Sequence, residues 1–112
     1  VGRIERDATG KEYAVIKRAP SPTEPGAFVV SFSLPLDEAP DETSVVGGFN
    51  GWDPSRHPMR RRSNGTRSVK VSLGPGEHHF KYLSAGGVWR NEPMADRHEA
   101  NEWGEVDSVL EL

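Results

Sequence analysis

Apolar and polar residues alternate with a period of two along most of the chain after residue 26. In "AFVVSFSL", Phe28, Val30, Phe32 and Leu34 share one side and Val29, Ser31 and Ser33 the other. That alternation predicts a half-buried strand. "TSVVGGF" predicts a second. In "RSVKVSL", Val69, Val71 and Leu73 point inward and Lys70 outward; in "EHHFKYL", Phe80 and Tyr82 lie opposite His79 and Lys81. "GVWR" and "DSVLEL" supply two more strands. Turn residues separate these runs at Asn64-Gly65, Gly74-Pro75-Gly76 and Gly86-Gly87. Asn-Gly is the strongest of these signals because both residues tolerate positive φ. No segment keeps a helical period. Six or seven short strands in about 85 residues predict an antiparallel β-sandwich.

Residues 1–26 read differently. They are polar, and Pro20, Pro22 and Pro25 fall within six positions, a spacing incompatible with helix. The expectation is a polar, proline-containing tail in which Tyr13, Val15 and Ile16 can add a short strand. The compact domain is expected to span residues 27–112.

A chain of 112 residues suits one domain with one core and is far short of the roughly 250 residues of an α/β enzyme barrel. A net charge of −3 argues against a dedicated nucleic-acid binder, which is usually basic. The absence of cysteine excludes disulfides and thiolate metal sites and fits a reducing, cytoplasmic setting. No apolar run approaches the roughly 20 residues of a membrane span, and no signal peptide is legible. Val1 as first residue fits either a removed initiator Met or a domain cut from a longer chain.

Candidate chemistry centres on Trp52, Trp89 and Trp103, each set among Gly, Asn, Asp, Glu or Arg rather than in a long apolar strand. An indole offers a flat apolar face and an N–H donor, which suits the flat C–H faces and hydroxyl rim of a pyranose. A single tryptophan is more often packing; three in polar loops of one small domain favour a ligand surface. Lys81, on the outward side of its strand, can donate to sugar hydroxyls or be an ordinary solvated charge. The basic run Arg56, Arg60, Arg61, Arg62, Arg67 and Lys70 with Trp52 has the elements of a single-strand nucleic-acid site. A solvated hairpin with charges that discourage edge pairing explains it better. His78 and His79 are neighbours on a strand and face opposite ways, so they cannot share a metal. His57 and His98 stand isolated. No acid lies in an apolar context, no paired carboxylates can be nominated for glycoside hydrolysis, and no nucleophile-elbow motif is present. No catalytic residue, metal or cofactor is expected.

"VVGGFNGWDP", "LGPGEHHFKYLSAGGVWRNEP" and "ANEWGEVDSVLEL", in that order, resemble the carbohydrate-binding modules of family 48. These are the early-set, immunoglobulin-like sandwiches found N-terminal to branching and debranching enzymes of glycoside hydrolase family 13; the glycogen-binding domain of the AMP-activated protein kinase β subunit is related. The resemblance covers roughly residues 27–112. It implies non-catalytic binding of α-1,4-linked glucans such as glycogen, starch or maltodextrin. In the kinase-type modules a tryptophan after "FN", a lysine on the strand after "GEH" and a second tryptophan after the next turn hold the sugar. These match Trp52, Lys81 and Trp89. Trp103, before Gly104, stands where a bulky apolar residue enters the curve of the glucan, and its size suits stacking more than insertion. Glu105 and Asp107 stand where that pattern has a hydroxyl residue and an asparagine. An ionised Asp accepts but cannot donate, so some donor contacts are lost. The alternative is a structural or interaction module that packs on a family 13 catalytic domain or another partner protein, with the same aromatics as interface anchors.

Overall fold

The computed structural model describes residues 4–6, 12–14 and 16–112. The short strands β1 (Ile4–Arg6) and β2 (Glu12–Ala14) pair antiparallel with each other. Nine further strands follow: β3 (Ile16–Pro20), β4 (Phe28–Pro35), β5 (Thr43–Gly47), β6 (Arg60–Arg61), β7 (Thr66–Leu73), β8 (Glu77–Ser84), β9 (Val88–Arg90), β10 (Arg97–Ala100) and β11 (Val106–Glu111). They form two antiparallel sheets. One runs β3-β4-β7-β6; the other runs β10-β11-β8-β5, with β9 also paired to β8. The fold is an all-β, immunoglobulin-like sandwich. No helix among the described residues is long and apolar enough to cross a membrane.

The period-two pattern explains the packing. Val30, Phe32 and Leu34 of β4 and Val71 and Leu73 of β7 enter the core from one sheet; Val45, Phe80, Tyr82 and Leu110 enter from the other. Phe32 and Phe80 meet between the sheets with ring centroids 5.2 Å apart, and Tyr82 packs edge-on against Phe80 at 5.9 Å. The remaining residues of β8, Glu77, His79, Lys81 and Leu83, therefore lie on the outer face of the five-stranded sheet.

The sandwich includes three strands that alternation did not mark. β3 lies inside the proline-containing stretch and pairs with β4 from Ile16↔Phe32 to Pro20↔Phe28. Its one deep anchor is Ile16, 2% exposed. An edge strand needs only one face packed, and proline is tolerated there because the missing N–H faces away from the sheet. β10, "RHEA", and β6, "RR", carry almost no apolar side chain and are held by backbone pairing to β11 and β7. Tyr13 falls in β2, and Val15 lies outside the described residues. The turns fall where glycine predicts them, with φ of 83° at Gly65, 84° at Gly86 and 77° at Gly87.

One acid corrects the expectation that none is buried in the apolar interior. Glu92 is fully buried. Its Oε2 accepts from the Met94 N–H at 2.7 Å, Tyr82 OH donates to Oε1 at 3.4 Å, and its own N–H donates to Ser108 Oγ at 2.8 Å. It ties the segment between β9 and β10 to both central strands.

Gly47, at the end of β5, is set by close approach. A Cβ there would lie 2.4 Å from the backbone carbonyl oxygen of His79 and 2.7 Å from the Phe49 ring. Backbone cannot yield as a flexible side chain does. Gly47→Ala is therefore expected to destabilise the fold by about 1–3 kcal/mol, read as a lower urea midpoint with an unchanged denaturant slope.

Candidate functional site

A cleft of about 370 Å³ opens on the outer face of the five-stranded sheet, lined by Trp52, Lys81, Trp89, Trp103, Glu105 and Asp107. Asn101 and Glu102 complete its wall. Three separate parts of the chain converge: the loop after β5 brings Trp52, the β8–β9 hairpin brings Lys81 and Trp89, and the β10–β11 turn with the start of β11 brings the rest. All six residues singled out in the sequence thus border one space.

The Trp52 loop begins with a single 3-10 turn, Gly48–Asn50, closed by Gly51 at φ 67°. Asn50 is its buried anchor. Asn50 Oδ1 accepts from the Gly47 N–H at 3.0 Å, and Nδ2 donates to the Val45 carbonyl at 3.0 Å and to His57 Nδ1 at 2.9 Å. Trp52 follows with φ 60°, alone among the described non-glycine residues in having positive φ, and its N–H donates to the Gly47 carbonyl at 2.9 Å. A left-handed conformation costs a residue with a Cβ about 1–2 kcal/mol, and here it aims the indole at the cleft. Asp53 Oδ1 accepts from the Ser55 hydroxyl at 2.7 Å and its N–H at 2.9 Å. Those bonds, the hydroxyl foremost, hold the Asp53 carboxyl below the ordinary carboxylate range.

Asn101 does for Trp103 what Asn50 does for Trp52. Asn101 Oδ1 accepts from the N–H groups of Trp103 at 2.9 Å and Glu105 at 3.0 Å, and Nδ2 donates to Asp107 Oδ1 at 3.0 Å. Sequence reading missed Asn101, although an Asn ahead of a Gly-closed turn signals an Asx-type loop. It also missed the function of His57, which partners Asn50 rather than standing isolated.

Exposure separates the aromatic rings from the polar groups. Trp52, Trp89 and Trp103 are 37%, 51% and 79% exposed. Lys81 is only 6% exposed and Asp107 4%, so the lysine predicted to face outward does so from the floor of the cleft. Lys81 Nζ donates to Glu105 Oε1 at 3.2 Å, lies 3.8 Å from Asp107 Oδ1 and sits 5.9 Å from the Trp89 ring centroid, within cation–π range. Glu105 is largely exposed, and an ion pair with one solvated partner is worth little. An incoming hydroxyl can therefore exchange with Glu105 at Lys81. The cleft presents flat apolar faces, one buried cationic donor and carboxylate acceptors, the inventory for a neutral polyhydroxylated ligand.

The same face continues into a charged cluster. Glu77, His79 and Glu99 each bring one oxygen or nitrogen within 4.8 Å of the others. Arg97 lies among them, ion-paired to Glu77 at 2.7 Å and to Glu99 and Glu111. His78 turns the other way and bonds the Gly74 carbonyl at 2.8 Å.

No family model matches the chain. Several curated proteins are similar over about half of it. A protein of Xanthomonas campestris named 1,4-alpha-glucan branching enzyme GlgB 2 is 73% identical over 60 residues, 50% of this chain and 8% of that protein. Protein FLOURY ENDOSPERM 6, chloroplastic, of Oryza sativa subsp. japonica is 40% identical over 53 residues, 47% of this chain and 10% of that protein. Protein PTST homolog 2, chloroplastic, of Arabidopsis thaliana is 29% identical over 62 residues, 55% of this chain and 11% of that protein. The chain thus spans only about a tenth of the length of the curated relatives it matches.

Asn50→Ala would leave the Gly47 N–H and the Val45 carbonyl without their partner, at an expected cost of about 2–3 kcal/mol in unfolding free energy, with Trp52 emission shifted to the red. Burial, with Arg56 adding to it, holds His57 below its ordinary range. The folded protein therefore resists a proton that the unfolded chain accepts. His57 contributes stability that is full above about pH 6.5 and is lost as pH falls through its lowered folded value. Its ring resonances should titrate below about 6.5, measured by NMR, and should move toward that value in Asn50→Ala as the loop opens.

Proposed function

We propose that this chain is a non-catalytic module that binds α-1,4-linked glucans through the tryptophan-lined cleft, of the family 48 carbohydrate-binding type that its motifs resemble. The observation that carries this reading is the convergence of Trp52, Trp89 and Trp103 around buried Lys81 and Asp107 in one cleft. Trp52 and Trp89 stack on glucose rings, Lys81 donates to hydroxyls, Asp107 and Glu105 accept from them, and Trp103 closes one end. The reading is supported by the relatives named as 1,4-alpha-glucan branching enzymes, which this chain matches over a small part of their length. Within the cleft Glu105 is bonded to Lys81, and Asp107 to His79 and Asn101, as acceptors that shape a binding surface.

A shallow, open site of this kind binds weakly. A millimolar dissociation constant corresponds to about −4 kcal/mol, and a polymer with many repeats raises the effective concentration at the surface. The partial match to long enzymes favours a second reading, packing of the same aromatic face on a neighbouring domain.

Titration with a cyclic maltodextrin should quench tryptophan emission saturably, while cellobiose, its β-linked counterpart, should not. Trp52→Ala and Trp89→Ala should each weaken binding about tenfold, and the double variant should abolish retention on glycogen while keeping its circular dichroism spectrum. A flat titration of folded wild-type protein would move the aromatic face to the domain-packing reading.

A further inference from the structure

We propose that His79, which the cleft does not contain, is a positioning residue for it: protonated His79 clamps Asp107, Asp107 fixes Asn101 and the Trp103 loop, and affinity for glucan falls as the ring loses its proton. This rests on the glucan-binding reading above.

The connection is continuous. His79 Nδ1 lies 3.2 Å from Asp107 Oδ2. Asp107 Oδ1 accepts from Asn101 Nδ2 at 3.0 Å, and Asn101 Oδ1 holds the N–H groups of Trp103 and Glu105. On the other side of the ring, His79 Nε2 lies 3.0 Å from Glu77 Oε1. The imidazole is thus held between two carboxylates. A neutral imidazole has one N–H and one lone pair. It can donate to Glu77 or to Asp107, and it turns a lone pair toward the other. Only the imidazolium donates to both.

The surroundings favour that cation. On β8 the same face carries Glu77 and Lys81, β11 brings Asp107 and Glu111, β10 brings Arg97 and Glu99, and β5 adds apolar Val46. Four acids stand against two cations. Glu77 foremost, and Asp107 after it, hold the His79 ring above its ordinary range against the opposing effect of burial. A basic group raised in the folded state contributes fully below its unfolded value near pH 6.5 and loses that contribution as pH rises through the folded value. Loss of the proton leaves a single N–H for Glu77 and Asp107 to share, so in the tautomer that serves Glu77 the Asp107 carboxylate loses this donor and keeps only Asn101 and, at 3.8 Å, Lys81. Trp103, the most exposed of the three rings at 79%, then sits on a loop with a looser foot. His57 acts in the opposite direction and at lower pH, so the two effects are separable.

The test is the affinity for a cyclic maltodextrin, by calorimetry, between about pH 6 and pH 9, for wild type, His79→Asn, His79→Phe and Glu77→Gln. Wild-type affinity should fall about fivefold across that range, the worth of one net hydrogen bond. Asn places an amide donor near the Nδ1 position at every pH, so His79→Asn should keep the acid-side affinity with a flat profile. His79→Phe should be flat at the lower affinity. Glu77→Gln, which leaves His79 and Asp107 in place, should shift the midpoint to lower pH. A purely structural role for His79 would not move that midpoint. Binding by wild type that is constant with pH, or a Glu77→Gln midpoint equal to that of wild type, would overturn the positioning role and leave the glucan reading standing. Absence of binding at every pH would overturn both.

Discussion

Strand β8 carries Phe80 and Tyr82 on one face and Glu77, His79, Lys81 and Leu83 on the other, and the molecule is built around that alternation. The inward pair meets Phe32 across the sandwich and lies beside the buried Val45 of the same sheet. The outward row receives β5 on one side and β11 and β9 on the other. A one-residue slip of register would exchange the two sets, burying His79 and Lys81 and exposing Phe80 and Tyr82. Core packing therefore fixes where the cleft's floor lies, to the precision of a strand pair. This is why the cationic donor can be both central and 6% exposed: its backbone belongs to a strand paired on both sides, and its Nζ reaches the cleft.

The aromatic rings are held by a different principle. Trp52 and Trp103 sit in loops that no hydrophobic contact could place alone, and each loop is organised by one asparagine. In both cases the amide oxygen accepts from backbone N–H, one at Asn50 and two at Asn101, while the amide nitrogen donates, to a carbonyl and His57 at Asn50 and to the Asp107 carboxylate at Asn101. A side-chain amide can do this because it carries donors and acceptors at once. The same economy explains how Trp52 persists at φ 60°. Its N–H bond to Gly47 and the Asn50 network beneath it offset a conformational cost of about 1–2 kcal/mol.

How much of this was legible follows from the same two principles. Where strands alternate, in β4, β7 and β8, sequence period and structure coincide, because burial of every second residue is what the fold requires. Where backbone pairing alone holds a strand, as in "RHEA" and "RR", or one residue such as Ile16 provides the anchor, no period exists to read. The tryptophans were legible as exposed because polar neighbours surround them. The buried polar groups were not: Glu92 and Asp107 look solvated in one dimension, and only the fold brings Met94 N–H, Tyr82, Asn101 and His79 to satisfy them. Asn101 and His57 were passed over for the same reason, since their function lies in partners distant in space or contributed by backbone.

The charge around the cleft bears on what can enter it. Glu102, Glu105 and Asp107 line it with a single lysine, and Glu77, Glu99 and Glu111 stand beside them on the same face against Arg97. Among the described residues the exposed arginines are Arg60 and Arg61 on β6 of the opposite sheet, Arg62 just after it, and Arg56 in the loop that carries Trp52. A phosphate-bearing polymer would meet carboxylates at the aromatic rings, where stacking would have to occur, while the Arg60–Arg62 cluster lies on the opposite sheet. Separation of base-stacking surface from positive charge is the reverse of a single-strand nucleic-acid site, which needs both in one groove. A neutral polyol meets no such conflict: its hydroxyls can donate to the carboxylates and accept from Lys81, while its ring faces lie against indole. The electrostatics and the aromatic geometry thus support the proposed class of ligand for independent reasons.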